Sequence, residues 1–370
     1  MKVTELGRKI ADMSKTELEK AKEIHEKSIV IDGSEVLRLD PIALPRRKRG
    51  GITAANVTCP DKSEAGMTDA YREICEQRAF IDYYEDKALL VTATEDIRKA
   101  KKEDKFGIIL GPQNGHPLIE RLEDVAFYKW AGIRIIQLTY NLKNAIGDGC
   151  AERTNCGLSN FGVNIVEEMN KHGIVVDLSH CGDQTTLEAI KISKDPCIFS
   201  HASVRSVQDQ ARNKSDEAIH ALAEKGGVIA ICSWGPILRV RDNPPKIEDI
   251  YAHVKYVEDL VGIDHIGLAT DVNERRQPGT PSYGRPTGDL VMEFSKMARS
   301  KLMIDYMKMP PREVVDTWRK EGRWYLPEGY GGEGFQDFTK VLVAGGYSDQ
   351  EIQKILGGNL LKAFERVWGK

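Results

Sequence analysis

Short runs of β-branched and other apolar residues recur along this chain at 28–33, 51–57, 106–110, 133–138, 174–178, 197–199, 228–231 and 265–271. Runs so uniformly apolar read as strands buried on both faces, as in a parallel sheet. Stretches with helical spacing of apolar residues lie between them, at about 69–90, 122–131, 161–172, 185–192, 215–225 and 247–261. An amphipathic helix covers about 4–27 and restarts at Ser14-Lys-Thr-Glu17, which has capping-box spacing. Gly226-Gly227 is a glycine stop. Ser348 to Trp368 closes the chain as a helix or helix pair.

Eight strands, most followed by a helix, predict an α/β fold, and eight is the number that closes a (β/α)8 TIM barrel. With 370 residues, 41% of them apolar, the expectation is a single barrel domain over 1–370. Residues 273–335 break the alternation and are rich in Gly, Pro, Tyr and Trp, so they read as an insertion or lid over the barrel mouth.

A barrel carries its chemistry just past the C-terminal ends of its strands. In those places stand Ser34 and Glu35, Gln113 and His116, Tyr140, His180, His201 and Asp271. Val175-Val-Asp-Leu-Ser-His180 and Cys197-Ile-Phe-Ser-His201 are matched: each is a strand that stops at Ser-His. A single histidine there reads first as a hydrogen-bonded core residue. The pair reads as two ligands, because one explanation covers both positions. Two histidines and a carboxylate from separate strands form a zinc-like set. His116 reads as a structural residue of its own turn.

Composition narrows the class. The net charge of -3 gives no footprint for nucleic acid. The one basic knot, Pro45-Arg-Arg-Lys-Arg-Gly50, reads as a solvated loop, with a site that draws in an anionic substrate as the alternative. Seven dispersed cysteines without a Cys-x-x-Cys indicate neither a disulfide framework nor a zinc knuckle. The charged N-terminal segment has no apolar core of a signal peptide, and no run reaches membrane-spanning length. The expectation is a soluble, cytoplasmic protein, with homo-oligomerisation left open.

Gly157-Leu-Ser-Asn-Phe-Gly162, Glu168-Met-Asn170, Val175-Val-Asp-Leu-Ser-His180, Phe199-Ser-His-Ala-Ser203 and Arg212-Asn213 resemble the membrane (renal) dipeptidase family. So do Gly262-Ile-Asp-His-Ile-Gly267 with Thr270-Asp271, and Gly345-Gly-Tyr-Ser348 with Leu356-Gly-Gly-Asn359. The blocks run in the family's order across nearly the whole chain. The resemblance implies a metal-dependent barrel of the amidohydrolase type that splits dipeptides and related amides at a pair of zinc ions. It implies that His180 and His201 serve the second metal, that Asp271 works near the reacting water, and that Arg212, with Asn213, meets a substrate carboxylate.

The departures are as specific. Where the family has Asp-Gly-His-x-Asp, this chain reads Asp32-Gly-Ser-Glu-Val36, with Ser34 at the histidine and Val36 at the aspartate. Where the family has a bridging glutamate in Glu-Gly-Gly-His, it reads Gln113-Asn-Gly-His116. Where the family has Leu-Thr-His, it reads Leu138-Thr-Tyr140. A neutral amide cannot replace a carboxylate between two dications. The expectation is therefore one Zn2+ on His180 and His201, completed by Asp271, the Gln113 carbonyl oxygen or water, or no metal. Glu35 is a candidate substitute ligand, yet neighbours along a strand face opposite ways, so it should point away from Ser34.

Three functions follow. One is an amidohydrolase-like enzyme with a reduced metal site, with Asp271 as base, Tyr140 polarising the carbonyl, and Arg212 anchoring a small carboxylate or dipeptide-like substrate. The second is a metal-independent lyase, decarboxylase or proton-transfer enzyme in the same pocket. The third is a non-catalytic pseudo-dipeptidase that only binds a ligand.

Overall fold

A computed structural model describes residues 3–36, 43–60, 66–118, 121–240, 245–273, 313, 317 and 333–369. Its main strands are β1 (Ile31–Val36), β2 (Ala54–Val57), β3 (Ala88–Leu90), β4 (Phe106–Leu110), β5 (Ile135–Gln137), β6 (Val175–Asp177), β7 (Ile198–Ala202), β8 (Val228–Cys232) and β9 (Ile266–Ala269), and a two-residue strand, Val272–Asn273, pairs with the end of β1. They pair in the order β3-β4-β2-β1-β9-β8-β7-β6-β5, every pair parallel. A parallel bridge between Leu110 and Ile133, with Arg134 N donating to Leu110 O at 3.0 Å, joins β4 to the entry of β5. The eight apolar runs read from the sequence are the strands of that ring, and β3 is an extra strand on the outside of β4.

The interior layer explains which end is open. Ile31, Ala54, Ile135, Val175, Ile198 and Val228 each begin their strand, and they form one cluster with Leu360, Phe364, Val367 and Trp368 of the last helix, Asn359–Trp368. The C-terminal helix thus closes the N-terminal end of the barrel with apolar side chains. The outward residues, among them Ala55, Val57, Ile108, Ile136, Val176, Phe199 and Ile229, pack under the helices. The C-terminal strand ends are left for chemistry.

Two expectations need correction. The helix expected over about 69–90 ends at Tyr83, and Ala88–Leu90 is strand. The helix Thr94–Glu103 follows, opened by the Asp96 carboxylate, which accepts from Thr92 N at 2.8 Å and Ala93 N at 3.0 Å. The basic knot is no solvated loop: Ala43–Arg49 is helical and Arg47 is fully buried. Its guanidinium meets Glu35, with Nε at 2.8 Å and Nη2 at 2.8 Å from Oε2. Glu35 therefore does face away from Ser34, as strand alternation requires. The 273–335 segment lies almost wholly outside the described residues. No described helix is long and apolar enough to cross a membrane.

Candidate active site

Two aspartates organise the strand ends. Asp177, at the end of β6, accepts through Oδ1 from Ser179 N at 3.0 Å, Ser179 Oγ at 2.6 Å and Ser200 N at 3.0 Å, and through Oδ2 from Ser200 Oγ at 2.6 Å. It locks the Ser-His pairs of β6 and β7 to each other. Asp32 does the same for β1 and β9. Its Oδ1 takes Ser34 N at 3.2 Å and Thr270 N at 2.9 Å, and its Oδ2 takes Thr270 Oγ1 at 2.5 Å. Burial, and then the charge of Glu35, raise the Asp32 carboxyl well above the ordinary range. Such local carboxylate-to-backbone bonds shape a turn that regular strand pairing would not give.

These turns bring His180 and His201 together, with their Nε2 atoms 2.9 Å apart. The outer nitrogens decide what the inner ones present. His180 Nδ1 is 2.8 Å from Asn141 Oδ1, an oxygen toward which Cys150 Sγ also points at 3.5 Å. An amide oxygen only accepts, so His180 carries its proton on Nδ1. His201 Nδ1 is 2.7 Å from Ser200 Oγ, whose own proton is given to Asp177. That oxygen is then an acceptor, and His201 also carries its proton on Nδ1. Two bare Nε2 lone pairs face one point, an arrangement complementary to a cation.

Asn141 reaches this position in the left-handed region, at φ 57°, a conformation asparagine tolerates better than most residues. The loop that follows is tied back to the site. Ala151 N donates to Asn141 O at 2.7 Å and Cys150 N to His180 O at 2.8 Å. Gly149 crosses the Asn141 backbone so closely that no side chain fits there.

Two buried cations hold the same turns. Arg212, 1% exposed, donates from Nη1 to Ser179 O and from Nη2 to His201 O, both at 2.6 Å. Lys214, also 1% exposed, donates to Leu178 O at 2.6 Å and Cys181 O at 3.0 Å. Burial pushes the Lys214 ammonium down to about 8. Burial, and then Arg212, lower both imidazoles well below the ordinary histidine range, with Lys214 adding to the effect. Asn213 is engaged elsewhere: its Nδ2 donates to Gln208 O at 2.8 Å and Ile237 O at 3.0 Å.

Tyr140 stacks on His180, with ring centroids 4.3 Å apart and planes at 24°. Asp271 follows β9 at φ 49° and its N–H donates to Ser34 O at 2.8 Å. Past the end of β4, Gln113 Nε2 donates to Ser34 Oγ at 3.0 Å and to Thr58 Oγ1 at 2.9 Å. His116 begins a single turn of 3-10 helix, His116–Leu118. Direct contacts thus join Tyr140, His180, His201 and Arg212 to one another, and Ser34 to Gln113. The sequence reading did not single out Asn141, Lys214 or Asp177. Asp177 and Asp32 share the signal Asp-x-Ser after a strand, which would have found both.

The comparisons with known proteins agree with this architecture. The model of the membrane dipeptidase family (Peptidase family M19) matches residues 18–278. The chain belongs to that family. It is 29% identical to dipeptidase tcpJ of Claviceps purpurea over 223 residues, 59% of this chain and 51% of that protein. It is 29% identical to dipeptidase verJ of Clonostachys rogersoniana over 238 residues, 61% of each. The chain thus spans between half and two thirds of the length of these curated relatives. An amidohydrolase from Pseudomonas aeruginosa superposes with TM-score 0.78 at 31% identity, covering 95% of this chain and 99% of that one. A metallo peptidase from Rhodobacter sphaeroides, liganded with a phosphinate mimic of L-Ala-D-Ala, superposes with TM-score 0.70 at 16% identity, over 92% of this chain, and shares the fold.

The zinc pair that the family implies does not fit this chain. Ser34, Val36 and Gln113 offer no carboxylate or imidazole, and among the described residues no group of three or more His, Cys, Asp or Glu side chains is placed to hold a metal. His180 and His201 supply two well-oriented donors, one fewer than a catalytic zinc takes from its protein.

Proposed function

We propose that this chain is a hydrolase of the dipeptidase family that acts on small, carboxylate-bearing, dipeptide-like amides through a reduced site centred on His180 and His201. The observation that carries the reading is the pair of Nε2 lone pairs 2.9 Å apart, each oriented by a proton held on Nδ1. Neutral drift gives no reason to keep Asn141, Ser200 and Asp177 in register behind both rings.

Arg212 and Lys214 place positive potential behind the pair with no carboxylate of the described residues bonded to either, so an anionic substrate is favoured. Arg212 itself is spent on backbone carbonyls. Its contribution to substrate binding is chiefly the field, and Asn213 supports the loop rather than the ligand. Tyr140, flat against His180, is assigned to the substrate carbonyl. Asp271 is assigned as the base that takes a proton from the attacking water. A single divalent ion bound at His180 and His201 would acidify that water.

A second reading is favoured by the short donor set: the same groups would serve a metal-independent proton-transfer or lyase reaction. The experiment is turnover of a panel of dipeptides and N-acyl amino acids by mass spectrometry, with and without added zinc chloride. Cleavage that falls at least tenfold in Tyr140→Phe and Asp271→Asn supports the hydrolase. No cleavage of any panel member under either condition overturns it.

A further inference from the structure

Gln113 takes the place where the family sets a bridging carboxylate, and its hydrogen bonds show what that place has become. The amide nitrogen gives one hydrogen to Ser34 Oγ at 3.0 Å and the other to Thr58 Oγ1 at 2.9 Å. Its main-chain oxygen accepts from Gln137 Nε2, which also donates to Thr139 O at 2.8 Å. Ser34, Thr58 and Gln113 are 0%, 4% and 7% exposed, so the cluster is walled in. Three strand ends are joined by neutral groups.

We infer that Ser34, Thr58 and Gln113 form a neutral hydrogen-bonded lock that excludes a metal ion from this end of the mouth. The inference rests on the family reading and goes beyond it by assigning these residues a role. The donor end of an amide dipole is directed at both hydroxyl oxygens, so one lone pair of each is occupied and the other lies beside a positive amide hydrogen, which disfavours a cation unless Gln113 turns away. Turning would leave two buried hydroxyls and an amide without their hydrogen-bond partners, which burial penalises. The carboxylates next along β1 give no compensation. Glu35 is paired with Arg47, and Asp32 is engaged by Thr270. Ser34, Thr58 and Gln113 bring no formal negative charge of their own to offset a dication, which burial makes unfavourable.

The lock retains neutral polarity. Among the described residues, no acceptor faces the Ser34 or Thr58 hydroxyl proton and no donor faces Gln113 Oε1. These groups suit an uncharged polar part of a ligand, such as a carboxamide, better than an ion.

The test is metal stoichiometry by elemental analysis after dialysis of the full chain against micromolar zinc chloride. The wild type is expected to hold at most one zinc per chain, and Gln113→Glu to hold more. A carboxylate at 113 still accepts the two hydroxyl protons, so the cluster stays satisfied while it gains a charge. Two zinc ions in the wild type, or a folded Gln113→Glu with no gain, would overturn the lock. Should that variant not fold, cobalt titration of the wild type followed by absorbance decides the matter: saturation at one equivalent or fewer supports the inference, and at two it fails. Because these readouts do not involve turnover, they are independent of whether the chain cleaves dipeptides.

Discussion

Asn141 Oδ1 lies 2.8 Å from His180 Nδ1, and Asn141 holds that position at φ 57°. The side chain fixes the tautomer, and the backbone conformation sets the side chain. Asn141→Gly keeps the left-handed backbone without steric cost and deletes the acceptor. Activity in this variant is expected to fall roughly 10–100-fold, the usual effect of losing the partner that orients a histidine. Nitrogen-15 NMR of the imidazoles should show the His180 proton shared between Nδ1 and Nε2. Unchanged activity and an unchanged tautomer would mean that the ring is held by Tyr140 stacking alone.

Arg212 offers a sharper contrast. If its function is to bind Ser179 O and His201 O, Arg212→Lys loses one of two buried bonds and strands a carbonyl, at about 1–3 kcal/mol. Urea unfolding should register that loss, together with lower activity. A substrate anchor would behave differently: KM would rise steeply while stability stayed level. Lys214→Met, which takes a buried donor from Leu178 O and Cys181 O, is expected to match Arg212→Lys in stability. It should also lower activity, because both carbonyls flank His180.

Glu35 and Arg47 are both fully buried and paired at 2.8 Å. Arg47→Met leaves a buried carboxylate uncompensated and is expected to cost about 3–5 kcal/mol in urea unfolding. Removing both charges in Glu35→Leu with Arg47→Met should recover most of that loss. If the double variant is as unstable as the single, Arg47 is held chiefly by its other contacts.

The sequence reading went furthest where burial alone decides. Most barrel strands are buried apolar runs, such as Phe106–Leu110 and Val228–Cys232, so they stand out. The matched Ser-His ends pointed to the convergence of His180 and His201 because one turn geometry serves both. It failed where a strand follows a helix after one short turn: Ala88-Leu-Leu-Val91 is separated by four residues from the helix end at Tyr83 and looks like its continuation. It failed again at Arg47, whose partner lies on a strand twelve residues earlier, since a basic run gives no sign of which member turns inward. Lys214 and Asn141 were missed for another reason. Their partners are backbone carbonyls and a ring nitrogen distant in the chain, and only three-dimensional structure supplies them.

His25 and His253 give the fold a predictable acid response. His253 accepts Val204 N–H on Nδ1 at 3.1 Å and donates from Nε2 to Leu238 O at 2.8 Å, so a second proton would collide with the Val204 donor. His25 is held between Thr339 Oγ1 at 2.7 Å and Gly50 O at 2.9 Å. Burial lowers each to about 4, from 6.5 in the unfolded chain. The sign follows. Between pH 6.5 and 4 the unfolded chain takes up protons that the folded chain refuses, so stability is full above 6.5 and falls as the pH drops through this window. Each histidine contributes a slope approaching about 1.4 kcal/mol per pH unit within the window, levelling off below its folded value. Carboxylates titrate at the lower end, so the comparison is made with a variant. In His253→Gln, urea unfolding at pH 7, 6 and 5 is expected to show a slope shallower by up to one proton than the wild type. Equal slopes would show that His253 is protonated in the folded chain, and that its bond to Val204 N is broken there.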